Sequence, residues 1–240
     1  MVNVKNSKKW VAPVLMFVFC DFIYRQHLVK YLLDRDYLVV NFFENSFLNE
    51  TFSFGLLNFA VAVIILLISK FIFKEKLTSI DSSDKISIKK SAIIVFLAVV
   101  VTIIIFYLLT YIIYDVLGSS VNSAAAIYIR DMYMRNKFIY VIFTFFTVTF
   151  EEVVYRKLLF GYLYDLHSGC NRYIRLITSL LGSVIIFGAI HDGVLSSGMI
   201  YYVVAGISFT IVYFYTKRIS AAIAIHFLYN ICLRLILTII

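Results

Sequence analysis

The chain has 240 residues, 62% hydrophobic and only 15% charged, with one proline and a mean hydropathy of +0.92. Apolar residues make up about half of an ordinary soluble domain, so this composition excludes one and fits a polytopic helical membrane protein. The net charge of +8 does not point to nucleic acid, because the bases cluster between apolar runs rather than along one face, the pattern that orients helices in a membrane.

Taken in order, Lys5, Lys8 and Lys9 precede the apolar run VAPVLMFVF. This is a signal-peptide-like start with no small-residue cleavage site, so an uncleaved first helix over about 10–24 is expected. Asp21 and Arg25 near its end stand four apart and are expected to pair with each other. Residues 26–50 mix charges and aromatics and read as an interfacial segment; Phe52 to Phe73 reads as a second span. A basic loop with Lys70, Lys74, Lys76, Lys85, Lys89 and Lys90 follows, its middle (TSIDSSDK) irregular. Ser91 to Tyr114 is a third span, 115–137 a polar connection, and the fourth span starts near Phe138 and ends before Gly169. Tyr173 to His191, Met199 to Tyr215 and Ile219 to Ile240 complete the set. The expected fold is all-α, with seven to eight transmembrane helices, helices and loops in 1–135, and the site between the C-terminal helices of 136–240.

Lys5, Lys8, Lys9, the six loop lysines, Lys157, Arg172, Arg175, Lys217 and Arg218 fall on one side, 14 in all. Arg25, Lys30, Arg35, Arg130, Arg135 and Lys137 fall on the other, 6 in all. The positive-inside rule then places the N-terminus in the cytoplasm of a multi-pass cell-membrane protein, an assignment that flips if the first segment does not span. Cys20, Cys170 and Cys232 show no CxxC spacing and argue against a disulfide framework or thiolate metal site; Cys20 is read as packing.

Within the fourth span lies Phe150-Glu151-Glu152-Val153-Val154-Tyr155-Arg156. Each charge at membrane depth costs roughly 2.5–3.5 kcal/mol on insertion scales, so three together call for a reason. Glu152 and Arg156 share a helix face and pair, while Glu151, about 100° round the helix, has no local cation and is free for chemistry. The alternative is that both glutamates only hold helices together. Two later spans carry Phe187 with His191 and His226 with Asn230, each pair four apart on one face, and Arg234 extends the last stripe by two turns past His226.

In that order, Glu151-Glu152-x-x-x-Arg156, Phe187-x-x-x-His191 and His226-x-x-x-Asn230 resemble the three-motif signature of the CAAX-protease and bacteriocin-processing (CPBP, or Abi) family of intramembrane endopeptidases. The resemblance covers about residues 145–231. Tyr155 stands where the family often has Phe, and Lys157 where Gly is common, which bears on how closely that helix packs. The resemblance implies that Glu151 and His191 activate water, that His226 and Asn230 stabilise the tetrahedral intermediate, and that Glu152, Arg156 and Phe187 support them. It also implies a catalytic core in 136–240 and a peptide or membrane-associated protein tail as substrate, reaching the site from the lipid or the cytoplasm. A bacterial role in bacteriocin self-immunity or secreted-peptide maturation follows, with no nucleic acid partner and the oligomeric state open.

Peptide hydrolysis in a membrane needs a polar cavity, a base for water and donors for the oxyanion, and these residues supply that set. Arg234 is a candidate for a substrate carboxylate or a bracing group, Asp192 for orienting His191 or for a solvated loop acid, and His167 is expected exposed. No tightly bound metal is expected, since His-Glu-x-x-His is absent; if zinc is used, Glu151, His191 and His226 would hold it with an open position. Counted from the helix starts at ~1.5 Å per residue, His226 lies ~10 Å and His191 ~24 Å from the same boundary. A dip of the loop 192–198 into a protein-lined cavity is the expected remedy, a fifth helix that begins outside the bilayer the other. A non-catalytic membrane scaffold or immunity protein and a small proton-coupled transporter remain the rival functions.

Overall fold

The computed structural model describes residues 7–239 apart from 36, 75, 76, 82 and 120–122. The chain runs α1 (Ser7–Val18), a π-helical stretch (Phe19–Leu28) and α2 (Val29–Asp34) as one rod, then α3 (Ser46–Phe71) and α4 (Ile88–Tyr111). Next come α5 (Ala124–Arg135) and α6 (Lys137–Glu152), which continues through a second π-helical stretch (Val153–Phe160) into α7 (Gly161–Leu166). The hairpin α8 (Arg172–Asp192) and α9 (Met199–Thr216) and the final α10 (Ile219–Ile239) follow. Seven of the described helices are long and apolar enough to cross a membrane, and the chain is a multi-pass membrane protein. Successive spans alternate in direction. α1, α4, α8 and α10 begin at the end that carries the basic loop, here the lysine end, and α3, α6 and α9 begin at the far end.

Helix starts follow from short polar side chains that satisfy otherwise orphaned amides. Asn45 accepts from Leu48 N, Ser87 from Lys90 N, Ser123 from Ala126 N, Asn136 from Ile139 N, and Asn171 from Tyr173 N and Ile174 N. These caps move several boundaries from their expected places. Residues 26–34 belong to the first rod rather than an interfacial segment, and the second span starts at Ser46. The loop after the rod is tied down by Asn49, whose Oδ1 accepts from Phe43 N at 2.8 Å and whose Nδ2 donates to Phe43 O at 2.8 Å. The expected polar connection 115–137 contains α5, which lies against α6 and is pinned by a 2.7 Å bond between Tyr128 and Thr51. α7 stops at Leu166, three residues before Gly169.

The basic loop, expected to be irregular, is docked into the lysine end. Leu77 and Ile80 are buried, Ser79 N donates to Asp165 Oδ2 at 2.8 Å, and Arg218 Nε donates to Ile86 O at 2.7 Å. Arg175 pairs with Asp165 at 3.0 Å. Lys157 is buried and meets Asp81 of this loop at 2.5 Å. The departure from glycine at 157 therefore does not loosen the helix; the loop brings the lysine its counter-ion. At Gly161 a Cβ would stand 2.7 Å from Thr78 Cγ2, so the Thr78 side chain of the loop would have to shift to admit any side chain there.

Part of the depth mismatch between the two histidines is removed by helix starts rather than by a dipping loop. Leu176 and Leu180 of α8 pack in the same cluster as Ile219 and Ala222 of α10, so α8 begins well before α10 on the lysine side. At the other end Gly193, at φ +83°, stops α8, and Val194 and Leu195 are 75% and 92% exposed. Of the short turn that follows Asp192, Gly198 alone lines the cavity.

Candidate active site

A cavity of about 760 Å³ lies between α3, α4, α5, α6, α8, α9 and α10, and Glu151, His191, His226 and Asn230 all line it. Glu151 is the second-last residue of α6. Its Oε1 lies 3.3 Å from His191 Nε2 and its Oε2 3.9 Å from His226 Nε2. Three residues separated by 75 positions in sequence thus converge on one carboxylate.

Each ring is held by its other nitrogen. His191 Nδ1 lies 2.7 Å from Phe187 O; a carbonyl only accepts, so Nδ1 carries the proton and Nε2 turns to Glu151. His226 Nδ1 lies 2.7 Å from Glu152 Oε1, and the same logic directs its Nε2 into the cavity. Stacking fixes the ring planes: Tyr202 covers His191 at 4.8 Å and Phe209 covers His226 at 4.3 Å between centroids. Asn230, one turn past His226, lines the wall, and its backbone carbonyl accepts from Tyr140 Oη at 3.0 Å.

Glu152 is fully buried and does two things. Its Oε2 forms the expected ion pair with Arg156 Nε at 3.1 Å, and its Oε1 takes His226. The guanidinium of Arg156 sits over Phe187, 4.3 Å from the ring centroid, and reaches Gly206 O at 3.5 Å. A Cβ at Gly206 would stand 3.3 Å from both Arg156 Nη2 and Phe187, so a glycine on α9 makes room for the buried arginine. Phe187 supports the site through its carbonyl and both faces of its neighbourhood.

Several expectations are corrected or extended. Glu151 is not without a cation: Arg25 of the first rod brings Nη1 to 3.7 Å from its Oε1. Asp21 and Arg25 do pair as expected, but each also has a second partner. Their contact is a loose 3.9 Å, and fully buried Asp21 also accepts from Tyr155 Oη at 2.7 Å. The π-helical turn that carries both residues aims them at the core. Asp192 does not orient His191 but accepts from Ser196 Oγ at 2.9 Å in the loop. His167 is half-buried rather than exposed, with Nδ1 2.8 Å from Leu163 O at the helix end. Arg234 lines the cavity beside Tyr140, with its Nε buried and unbonded. Arg25, Asp21, Tyr155, Tyr202 and Phe209 escaped sequence reasoning; only the two charges in an apolar segment gave any signal.

Asp21, Glu151 and Glu152 face Arg25 and Arg156, a net charge of −1 that leaves room for one proton, which a base working on water must accommodate. As for zinc, no group of three His, Cys, Asp or Glu among the described residues is arranged to hold a metal ion. A dication beside Glu151 would also meet the Arg25 guanidinium.

Residues 134–232 match the family model described as type II CAAX prenyl endopeptidase Rce1-like. Neither a curated protein nor a solved structure matches the chain. The matched segment contains every motif residue from Glu151 to Asn230 and excludes Arg25.

Proposed function

We propose that this chain, a membrane protein whose residues 134–232 form an Rce1-like domain of a CAAX intramembrane protease family, is an endopeptidase of the CPBP/Abi type. The observation that carries the reading is the convergence of Glu151, His191 and His226 on the wall of a largely apolar cavity. A water held between Glu151 and His191 gives up a proton to this pair as its oxygen bonds to the scissile carbonyl carbon. The oxyanion receives hydrogen bonds from Asn230 Nδ2 and from Nε2–H of a doubly protonated His226, whose Nδ1–H is held by Glu152 with Arg156 behind it. Collapse breaks the C–N bond, and the proton passes from the pair to the leaving amine. The reaction consumes one water and needs no redox partner.

The substrate is a peptide or membrane-associated protein tail, and bacteriocin self-immunity or maturation of a secreted peptide in a bacterium is the biological role. The distribution of bases puts the N-terminus in the cytoplasm. Hydrolysis is metal-independent.

The test is cleavage of a quenched peptide library by purified protein in nanodiscs, with and without chelator. Wild type cleaves; Glu151→Gln and His226→Ala, folded by thermal shift, lose at least about 10²-fold, the scale of general acid–base catalysis; chelator leaves the rate unchanged. A folded wild type that turns over no library member would favour the non-catalytic scaffold.

A further inference from the structure

The cavity is one-sided. On α10 it is lined by His226, Tyr229, Asn230, Leu233, Arg234 and Leu237, about 16 Å of helix, all at or beyond the level of His226 toward the far end. On α6 the lining stops at Glu151, and on α4 it begins at Phe106, in that helix's second half. On the lysine side of Glu151 the chain is solid. Every residue from Val153 to Phe160 is buried, Arg156 fills the gap between Phe187 and Phe209, and the docked basic loop closes the end through Asp81, Ile80 and Thr78.

We infer that the substrate segment enters from the face opposite the lysine end, and that this face is the extracytoplasmic one. Two independent features carry this. Among the described residues the fourth span contributes no lining residue after Glu151, and the lining on α8 and α9 stops toward the lysine end at Phe187 and Phe209, which are backed by Arg156, so a peptide reaches the carboxylate only from the far end or through the walls beside it. The charge asymmetry, 14 bases against 6, turns the plugged end to the cytoplasm. The inference rests on the endopeptidase reading and deepens it. Its substrate is a secreted peptide or an exported membrane-adjacent segment, not a tail presented from the cytoplasm. The guanidinium of Arg234 along the route, its Nε unbonded, favours a segment carrying an acidic group.

Native Cys170 is exposed at the lysine end, Leu195 is exposed at the far end, and Thr110 lines the cavity. In a Cys20→Ala, Cys232→Ala background, intact cells expressing Leu195→Cys or Thr110→Cys are treated with a charged, membrane-impermeant thiol reagent. Both positions label in intact cells, and Cys170 labels only after permeabilisation. Labelling of Thr110→Cys only after permeabilisation, or of Cys170 in intact cells, overturns the inference whether or not the protein has activity. With an impermeant quenched peptide, right-side-out vesicles cleave directly and inside-out vesicles only once opened; the reverse order overturns it. Absence of cleavage in detergent as well as in both vesicle types counts against the endopeptidase reading, while the labelling still decides the side of entry.

Discussion

Arg25 carries the least expected role at the residue scale. It approaches Glu151 from a helix outside the matched family segment, and Asp21 and Tyr155 stand behind it. A guanidinium 3.7 Å from the base holds that carboxylate in place toward His191. Arg25→Gln is expected to lower kcat by about tenfold, ~1.4 kcal/mol of barrier, with KM little changed, and Arg25→Lys to restore part of the loss because the charge returns without the planar fork. A variant equal to wild type in kcat would reduce Arg25 to a packing residue. Arg156 is different in kind. It is buried against Glu152, and removing one partner of a buried pair strands the other, typically at 3–5 kcal/mol. Arg156→Ala should therefore fail in thermal stability before it fails in turnover.

At the scale of elements, the basic loop and the fourth span behave as a lock. Lys157 and Asp81 are both nearly buried, so Lys157→Ala or Asp81→Ala leaves an uncompensated charge, and each should lower the unfolding temperature. The double variant Lys157→Met, Asp81→Leu should lose less than the sum of the single changes, because neither charge remains. Additive losses would show that the two side chains act separately. The α9–α10 turn offers a second test. Lys217 sits at φ +58°, where a side chain is strained. Burial first, then Arg172 and Arg175, push its ammonium down to about 8 from 10.5. The unfolded chain binds the proton more tightly between those values, so stability rises with pH across about 8 to 10.5. Lys217→Gly should flatten that rise and, by relieving the left-handed backbone, raise the unfolding temperature; an unchanged slope would assign the rise to other groups.

For the whole molecule, the bundle separates a plugged end from a hollow one, and the reacting groups stand at the boundary between them. That arrangement would suit the proposed hydrolysis in lipid: water and peptide would share the cavity, while the buried Glu152–Arg156 pair stands behind its lining residues His226 and Phe187. The apolar runs alone determined the number of spans, because a helix that must satisfy its own backbone in hydrocarbon has to be long and continuous. The motif spacings determined which residues share a face, since 3.6 residues per turn puts positions four apart side by side. Hence Glu152 with Arg156 was legible from spacing, while the grouping of Glu151, His191 and His226 into one site was implied by the resemblance of the three motifs to a known family. What lies between helices was not legible. That Glu152 holds His226 as well as Arg156, that a first-helix arginine faces Glu151, and that Asp81 meets Lys157 across 76 positions depend on packing register, which hydropathy does not encode. The side from which the cavity opens was equally hidden, because it depends on how far α8 and α10 overlap and on a polar loop folding back into the bundle.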